Sequence, residues 1–232
     1  MSTRSDLAPV LLACAHGTRD PAGQAVVAEL VDAVRAARPG LDVRACFVDV
    51  QEPSLARVLG EVHAEGRTAV VVPLLLSSGF HVHVDIPAAL AGAPGSVAAP
   101  PLGPDPALAG VLADRLRAAC AGADHAVVLA AAGSSDPRAA ADVEQVAALL
   151  RAARPGPLLV GFGAGAQPDV PTAVRLAREL FPGRVAIASY LLAPGHFHDR
   201  LQAAGADLVT DPLGADPELA ALALRRYDQS CS

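Results

Sequence analysis

The chain has 232 residues, slightly over half of them apolar, and a formal charge of −6 with arginine as its only strong base. That acidity excludes the broad basic face of a nucleic-acid binder. The four cysteines, Cys14, Cys46, Cys120 and Cys231, form no CxxC pair, which excludes a zinc ribbon, a thioredoxin-like centre and a ferredoxin-like cluster. The apolar run Leu7–Cys14 is short for a signal sequence, and Ala69–Leu76 is broken by Pro73, so neither reaches the ~20 residues of a membrane span. The expectation is a soluble cytoplasmic protein with no membrane and no nucleic-acid partner.

In chain order, short apolar runs predict strands near residues 8–15, 41–48, 67–75, 96–99, 125–131, 157–161, 184–190 and 207–210. They are rich in Val, Leu and Ala and lack two-residue alternation, as expected of parallel strands covered on both faces. Amphipathic segments lie between them. Gly23–Ala37 is one, with Val26, Leu30, Val31 and Val34 at helical spacing. Asp20-Pro21, Asp105-Pro106, Asp136-Pro137 and Asp216-Pro217 mark helix starts, where aspartate caps free amides and proline suits the first helical position. Pro100–Pro106 reads as a loop.

The pattern occurs twice. Gly17, Asp20 and Pro21 match Gly133, Asp136 and Pro137 at an offset of 116 residues, and Phe47 and Pro53 match Phe162 and Pro168 at 115. Leu75-Leu76-Ser77-Ser78-Gly79 then matches Leu191-Leu192-Ala193-Pro194-Gly195 at 116 again. Three motifs in one register predict an internal duplication. The fold expected is α/β, with two similar lobes, each a four-stranded parallel sheet flanked by helices. The lobes are placed at residues 1–120 and 121–232, joined near Ala118–Asp124. Ligands of open parallel sheets sit beyond the carboxyl ends of the strands, and all three motifs fall there, so two such lobes enclose a cleft.

The halves differ in chemistry. His16, Asp49 and His81 align with Ala132, Ala164 and Phe197. Two imidazoles and a carboxylate form an open ligand set for a divalent transition metal, and neutral imidazole also accepts protons. On this reading His16, His81 and Asp49 are the catalytic and metal-binding candidates of the first lobe. His83 shares the face of His81 if its loop is extended. His196 and His198 flank the equivalent of His81, while His63 and His125 read as structural or surface residues. Gly161-Phe162-Gly163-Ala164-Gly165 lacks dinucleotide-binding spacing and reads as a tight turn. Ala15-His16-Gly17 lacks the arginine of a phosphate-handling Arg-His-Gly, and no P-loop is present, which counts against a phosphotransfer or nucleotide enzyme.

Three segments carry a family resemblance: Ala15-His16-Gly17-Thr18-Arg19; Phe47-Val48-Asp49 with Glu52-Pro53-Ser54-Leu55; and Pro73-Leu74-Leu75-Leu76-Ser77-Ser78-Gly79-Phe80-His81-Val82 continuing to Asp85-Ile86-Pro87. In these the first half resembles the class II chelatases of the sirohydrochlorin chelatase type. The second half matches more loosely, through Gly133-Ser134-Ser135, Gly165-Ala166 and Ala193-Pro194-Gly195. The resemblance implies a bilobal fold with sirohydrochlorin or a related tetrapyrrole between the lobes. It implies ATP-independent insertion of Co²⁺, Fe²⁺ or Ni²⁺, the metal being a substrate, with no organic cofactor, in sirohaem or cobalamin synthesis. The family's metal-handling histidines fall on His16 and His81. Its usual glutamate is here Asp49, one methylene shorter. Thr18, Arg19, Ser77, Ser78, Gly79 and Ser134 are expected to line the tetrapyrrole site, with Arg200 a further donor to its carboxylates. The chain is expected as a monomer or homodimer. A non-catalytic metal or tetrapyrrole carrier using the same cleft is the alternative.

Overall fold

A computed structural model describes residues 8–122 and 124–231. The first half runs β1 (Val10–Ala15), α1 (Pro21–Ala37), β2 (Val43–Phe47), α2 (Leu55–Ala64), β3 (Ala69–Pro73), a π-helical turn (His81–Asp85) leading into α3 (Ile86–Leu90), β4 (Val97–Ala98) and α4 (Pro106–Ala118). The second runs β5 (Ala126–Ala131), α5 (Pro137–Ala153), β6 (Leu158–Phe162), α6 (Val170–Leu180), β7 (Val185–Tyr190), α7 (His196–Gln202), β8 (Leu208–Val209) and α8 (Pro217–Ser230). All eight expected strands are present. The Asp-Pro steps cap as read: Asp20, Asp105, Asp136 and Asp216 each accept backbone N–H groups at the start of α1, α4, α5 and α8.

Each half forms one parallel four-stranded sheet, ordered β2-β1-β3-β4 and β6-β5-β7-β8. The registers repeat: Leu11 pairs with Val43 as Val127 pairs with Leu158. The duplication extends to irregular detail, because Phe47 bridges Ser54 as Phe162 bridges Asp169.

Every residue of β1, β5 and β7 is buried, which is why these strands show no polar alternation. Alternate residues serve two layers. Val10, Leu12 and Cys14 face α2 and α3 on one outer layer, and Val128 and Ala130 face α6 and α7 on the other. Leu11, Ala13 and Ala15 of β1 join Val127, Leu129 and Ala131 of β5 in one continuous core, filled by α1, α4, α5 and α8 between the sheets.

The closing helix of each half crosses to the other sheet. α4 packs on β7 and α5, and α8 packs on β3 and α1. Leu112 and Leu222 within this exchange are fully buried, and truncating such a leucine to alanine costs about 2–5 kcal/mol. Arg226 on α8 reinforces the crossing, donating to Pro101 O, Leu102 O and Asp105. Strand-end loops of the two halves meet, Gly79 lying close to Ser134 and Gly23 close to Pro194. Among the described residues no helix is long and apolar enough to cross a membrane.

Candidate metal-handling site

The site grows from the strand ends of the first sheet. β1 ends at Ala15, and the chain turns sharply at Gly17, whose φ is +94°. A Cβ on Gly17 would stand 2.4 Å from Asp49 O, so only glycine lets the loops after β1 and β2 meet so closely. The second half repeats the contact, with Gly133 at φ +83° against Ala164 O. Asp49 N donates to His16 O at 3.1 Å, and Thr18 N donates to the Gln51 side chain at 2.7 Å. These bonds fix the outward direction of His16, which is exposed at the end of a wholly buried strand.

His81 arrives from β3 at the start of the π-helical turn. Its ring meets His16 edge-to-face, with centroids 4.6 Å apart. The hydrogen bonds of both rings set their tautomers. His16 Nδ1 lies 3.1 Å from Gly17 O, a pure acceptor, so Nδ1 carries the hydrogen. His81 Nδ1 lies 2.6 Å from Asp85 Oδ2 and donates to that carboxylate. Nε2 of neither ring has a hydrogen-bond partner among the described residues, so in its neutral form each ring offers that lone pair to a metal ion or a proton. A carboxylate behind the second nitrogen is the usual device for orienting a metal-binding imidazole and raising its basicity.

The two halves approach each other at this cleft. A Cβ on Gly79 would lie 3.2 Å from Ser134 Oγ, and one on Gly23 would lie 2.8 Å from Pro194 O. Val50, Phe80, Val84 and Phe197 are exposed apolar side chains, Val50 in the loop after β2, Phe80 and Val84 at the π-helical turn and Phe197 in the first turn of α7.

The structure brings His16 and His81 together and treats the other expected residues differently. The Asp49 carboxylate accepts from Val50 N at 2.8 Å within its own exposed turn. Among the described residues no three His, Cys, Asp or Glu groups form a ready-made metal cluster, so Asp49 does not complete a ligand set with the histidines in this conformation. Thr18 Oγ1 and Ser134 Oγ, equivalent under the repeat, each accept a loop N–H, from Asp20 and Asp136. Their own hydroxyl hydrogens remain free to donate. Ser78 is engaged across the cleft by Asp142. Arg19 is exposed, Ser77 half-buried, and Arg200 Nη1 donates to Gly163 O at 3.2 Å.

The extended loop on which His83 would share the face of His81 is absent: the segment is a π-helical turn, in which Ile86 N donates to His81 O. That turn carries His83 away from His81, toward Asp136 of the second half, and brings Asp85 onto His81. Sequence reading placed Asp85 in the third motif but gave it no role for this reason, although its spacing of four from His81 was visible. His198 is committed to its own lobe, its Nε2 lying 3.2 Å from Thr210 O, and His196 packs against Phe197. His125 is buried beside Asp124 at the opposite end of β5, and His63 is exposed on α2.

The chain is similar to known proteins. The CbiX family model matches residues 10–119 and again 126–230. The sirohydrochlorin cobaltochelatase of Methanosarcina acetivorans is 33% identical over 81 residues, 34% of this chain and 62% of that protein. That of Methanococcoides burtonii is 32% identical over 78 residues, 33% of this chain and 60% of the relative. The matches thus span about three fifths of these relatives' length. Among solved structures, SirB from Bacillus subtilis with Fe³⁺ superposes with a TM-score of 0.81 at 22% identity, covering 97% of this chain and 96% of the other. A multi-domain Deinococcus radiodurans protein with structural similarity to chelatases gives 0.68 at 21% identity, covering 95% and 54%. With a family model matched once in each half and a bilobal architecture shared across nearly its whole length, the chain belongs to the CbiX family.

Proposed function

We propose that the protein is a sirohydrochlorin chelatase, inserting Co²⁺ or Fe²⁺ into the tetrapyrrole without ATP in sirohaem or cobalamin synthesis. The observation that carries this reading is the His16–His81 pair, ring centroids 4.6 Å apart, with neither Nε2 hydrogen-bonded among the described residues, beside the place where loops of the two halves meet. The cobaltochelatase relatives support the reaction, and the exposed apolar side chains of Phe80, beside His81, and Val50, beside Gly17, suit the faces of a flat macrocycle.

Insertion exchanges one dication for two pyrrole protons. The two Nε2 atoms hold the incoming ion and strip part of its water. As the ion passes to the ring nitrogens, the same two atoms fall vacant, one for each proton released. Asp85 holds His81 in the ligating tautomer and then stabilises its imidazolium. Asp49, exposed beside His16, is placed to pass protons on to solvent. Arg19, Arg200 and the hydroxyls of Thr18, Ser77 and Ser134 are donors for the macrocycle's carboxylates. A cleft complementary to a puckered macrocycle favours the transition state over the flat substrate. The second lobe, with Phe197 in place of a histidine, presents an apolar wall. One chain supplies both lobes, so a monomer suffices for this chemistry.

Anaerobic absorbance with sirohydrochlorin in excess over protein tests the reading. Many turnovers above the protein-free rate are expected. A change that stops at one equivalent would instead make the protein a carrier.

A further inference from the structure

The loop that carries His81 is held from the other half of the molecule. Asp142, on α5 and 91% buried, accepts from Ser78 N at 2.7 Å and from the Ser78 hydroxyl. Tyr190, at the end of β7 and almost wholly buried, donates its hydroxyl to Leu76 O at 2.6 Å. Burial and the nearby Asp142 and Asp105 push the phenol well above its ordinary pKa, so it remains a donor at any working pH. Two second-half side chains thus fix two first-half residues, Leu76 and Ser78, a few residues before His81.

The duplication supplies an internal control. At offset 116, Asp142 corresponds to Val26, Ser78 to Pro194 and Tyr190 to Leu74. None of these three side chains donates or accepts a hydrogen bond, and Pro194 has no N–H to offer. At the pseudo-symmetric contact Pro194 O instead lies against the backbone at Gly23. The polar clamp therefore exists on only one side of a near-symmetric interface, the side whose loop ends in a histidine rather than Phe197. A clamp needed merely to join the lobes has no reason to be confined to that side. A buried carboxylate is also costly unless it has a specific partner, which Ser78 provides.

We infer that Asp142 and Tyr190 are positioning residues. The second lobe, which has no histidine at the places of His16 and His81, acts on the chemistry by holding the Leu76–Ser78 segment and, through it, the His81 ring against His16. This assignment rests on the chelatase reading only for its effect on turnover. The effect on His81 itself is independent of any reaction.

The test has two arms on the full-length protein. The first is the imidazole ¹H–¹⁵N spectrum without metal or tetrapyrrole, with the His81 signals assigned from His81→Ala. Asp142→Ala and Tyr190→Phe are expected to shift or broaden the His81 signals and to leave those of His63 unchanged. Asp142→Asn, which can still accept from Ser78, is expected to restore them. The second arm is Co²⁺ insertion. Asp142→Ala is expected to raise the KM for Co²⁺ about tenfold, with the KM for sirohydrochlorin within about threefold, and to add no further loss in a His81→Ala background. Unmoved His81 signals in a folded Asp142→Ala, or a full additional loss in the His81→Ala background, would overturn the inference. Should Asp142→Ala fail to fold, Tyr190→Phe and Ser78→Ala carry the same comparison. If the wild type turned over no sirohydrochlorin while Asp142→Ala moved His81, the chelatase reading would fall and the clamp would stand.

Discussion

Replacing Asp85 by asparagine keeps the volume behind His81 and removes the charge. In the native site His81 Nδ1 lies 2.6 Å from a carboxylate whose side chain is 37% exposed, against 28% for the histidine. A hydrogen bond to a charged group contributes ~1.5–3 kcal/mol, and partial exposure selects the lower end of that range. About 1.5 kcal/mol corresponds to roughly a tenfold change in an equilibrium or rate constant, within the 10–100-fold spread of partners behind metal ligands. Asparagine can also turn its amide nitrogen toward His81 and favour the wrong tautomer, which pushes the effect upward. Initial rates at varied Co²⁺ should therefore show kcat/KM for the metal falling about tenfold while the KM for sirohydrochlorin changes less than threefold. In a His81→Ala background the same substitution should be silent, because its only consequence runs through that ring. Native kcat/KM in Asp85→Asn, or an equal loss without His81, would refute the reasoning.

Other outcomes follow from the same geometry. His16→Ala and His81→Ala should each lower turnover well over tenfold, with unchanged circular dichroism, while His63→Ala should be silent. Gly17→Ala should destabilise the fold by at least about 1–3 kcal/mol in urea titration, because its φ of +94° and the carbonyl of Asp49 both oppose a Cβ. Gly40→Ala, also at positive φ but in open space, should cost only about 1 kcal/mol. Val50 is a β-branched residue at φ +44° where the second half has Gly165, so Val50→Gly should relieve strain and stabilise by about 1 kcal/mol. Asp42 has its pKa lowered chiefly by its hydrogen bond to Arg44 and further by Arg67. Its ionised form therefore stabilises the fold above the ordinary aspartate pKa, and this is lost as pH falls through the lowered folded value. Asp42→Asn should cost stability in urea titrations at pH 7, and the gap to wild type should close progressively below about pH 4.

Much of the architecture was written in local pattern. Eight apolar runs became strands, those of β1, β5 and β7 wholly buried, and the Asp-Pro steps became caps, because hydrophobic period and capping chemistry act over a few residues. The duplication was legible because three motifs kept one register. The exchange of α4 and α8 between sheets was not, since an amphipathic helix shows which face is apolar without saying which sheet covers it. At the site, His16 and His81 stood out because the repeat offered alanine and phenylalanine in their places. Asp85 stood in the third motif without a role, because a π-helical turn is what carries it onto His81. The Asp49 carboxylate instead caps its own turn, a choice made by a loop conformation that the residue types leave open. Nothing in the sequence marks Asp142, because only tertiary packing brings it to Ser78.

The most direct measurement is anaerobic absorbance spectroscopy of the purified protein with sirohydrochlorin in large excess and Co²⁺ or Fe²⁺ as the metal. The account predicts conversion through many equivalents at a rate above the protein-free reaction, abolished in His16→Ala. A spectral change that halts at one equivalent, or a rate untouched by His16→Ala, would contradict it.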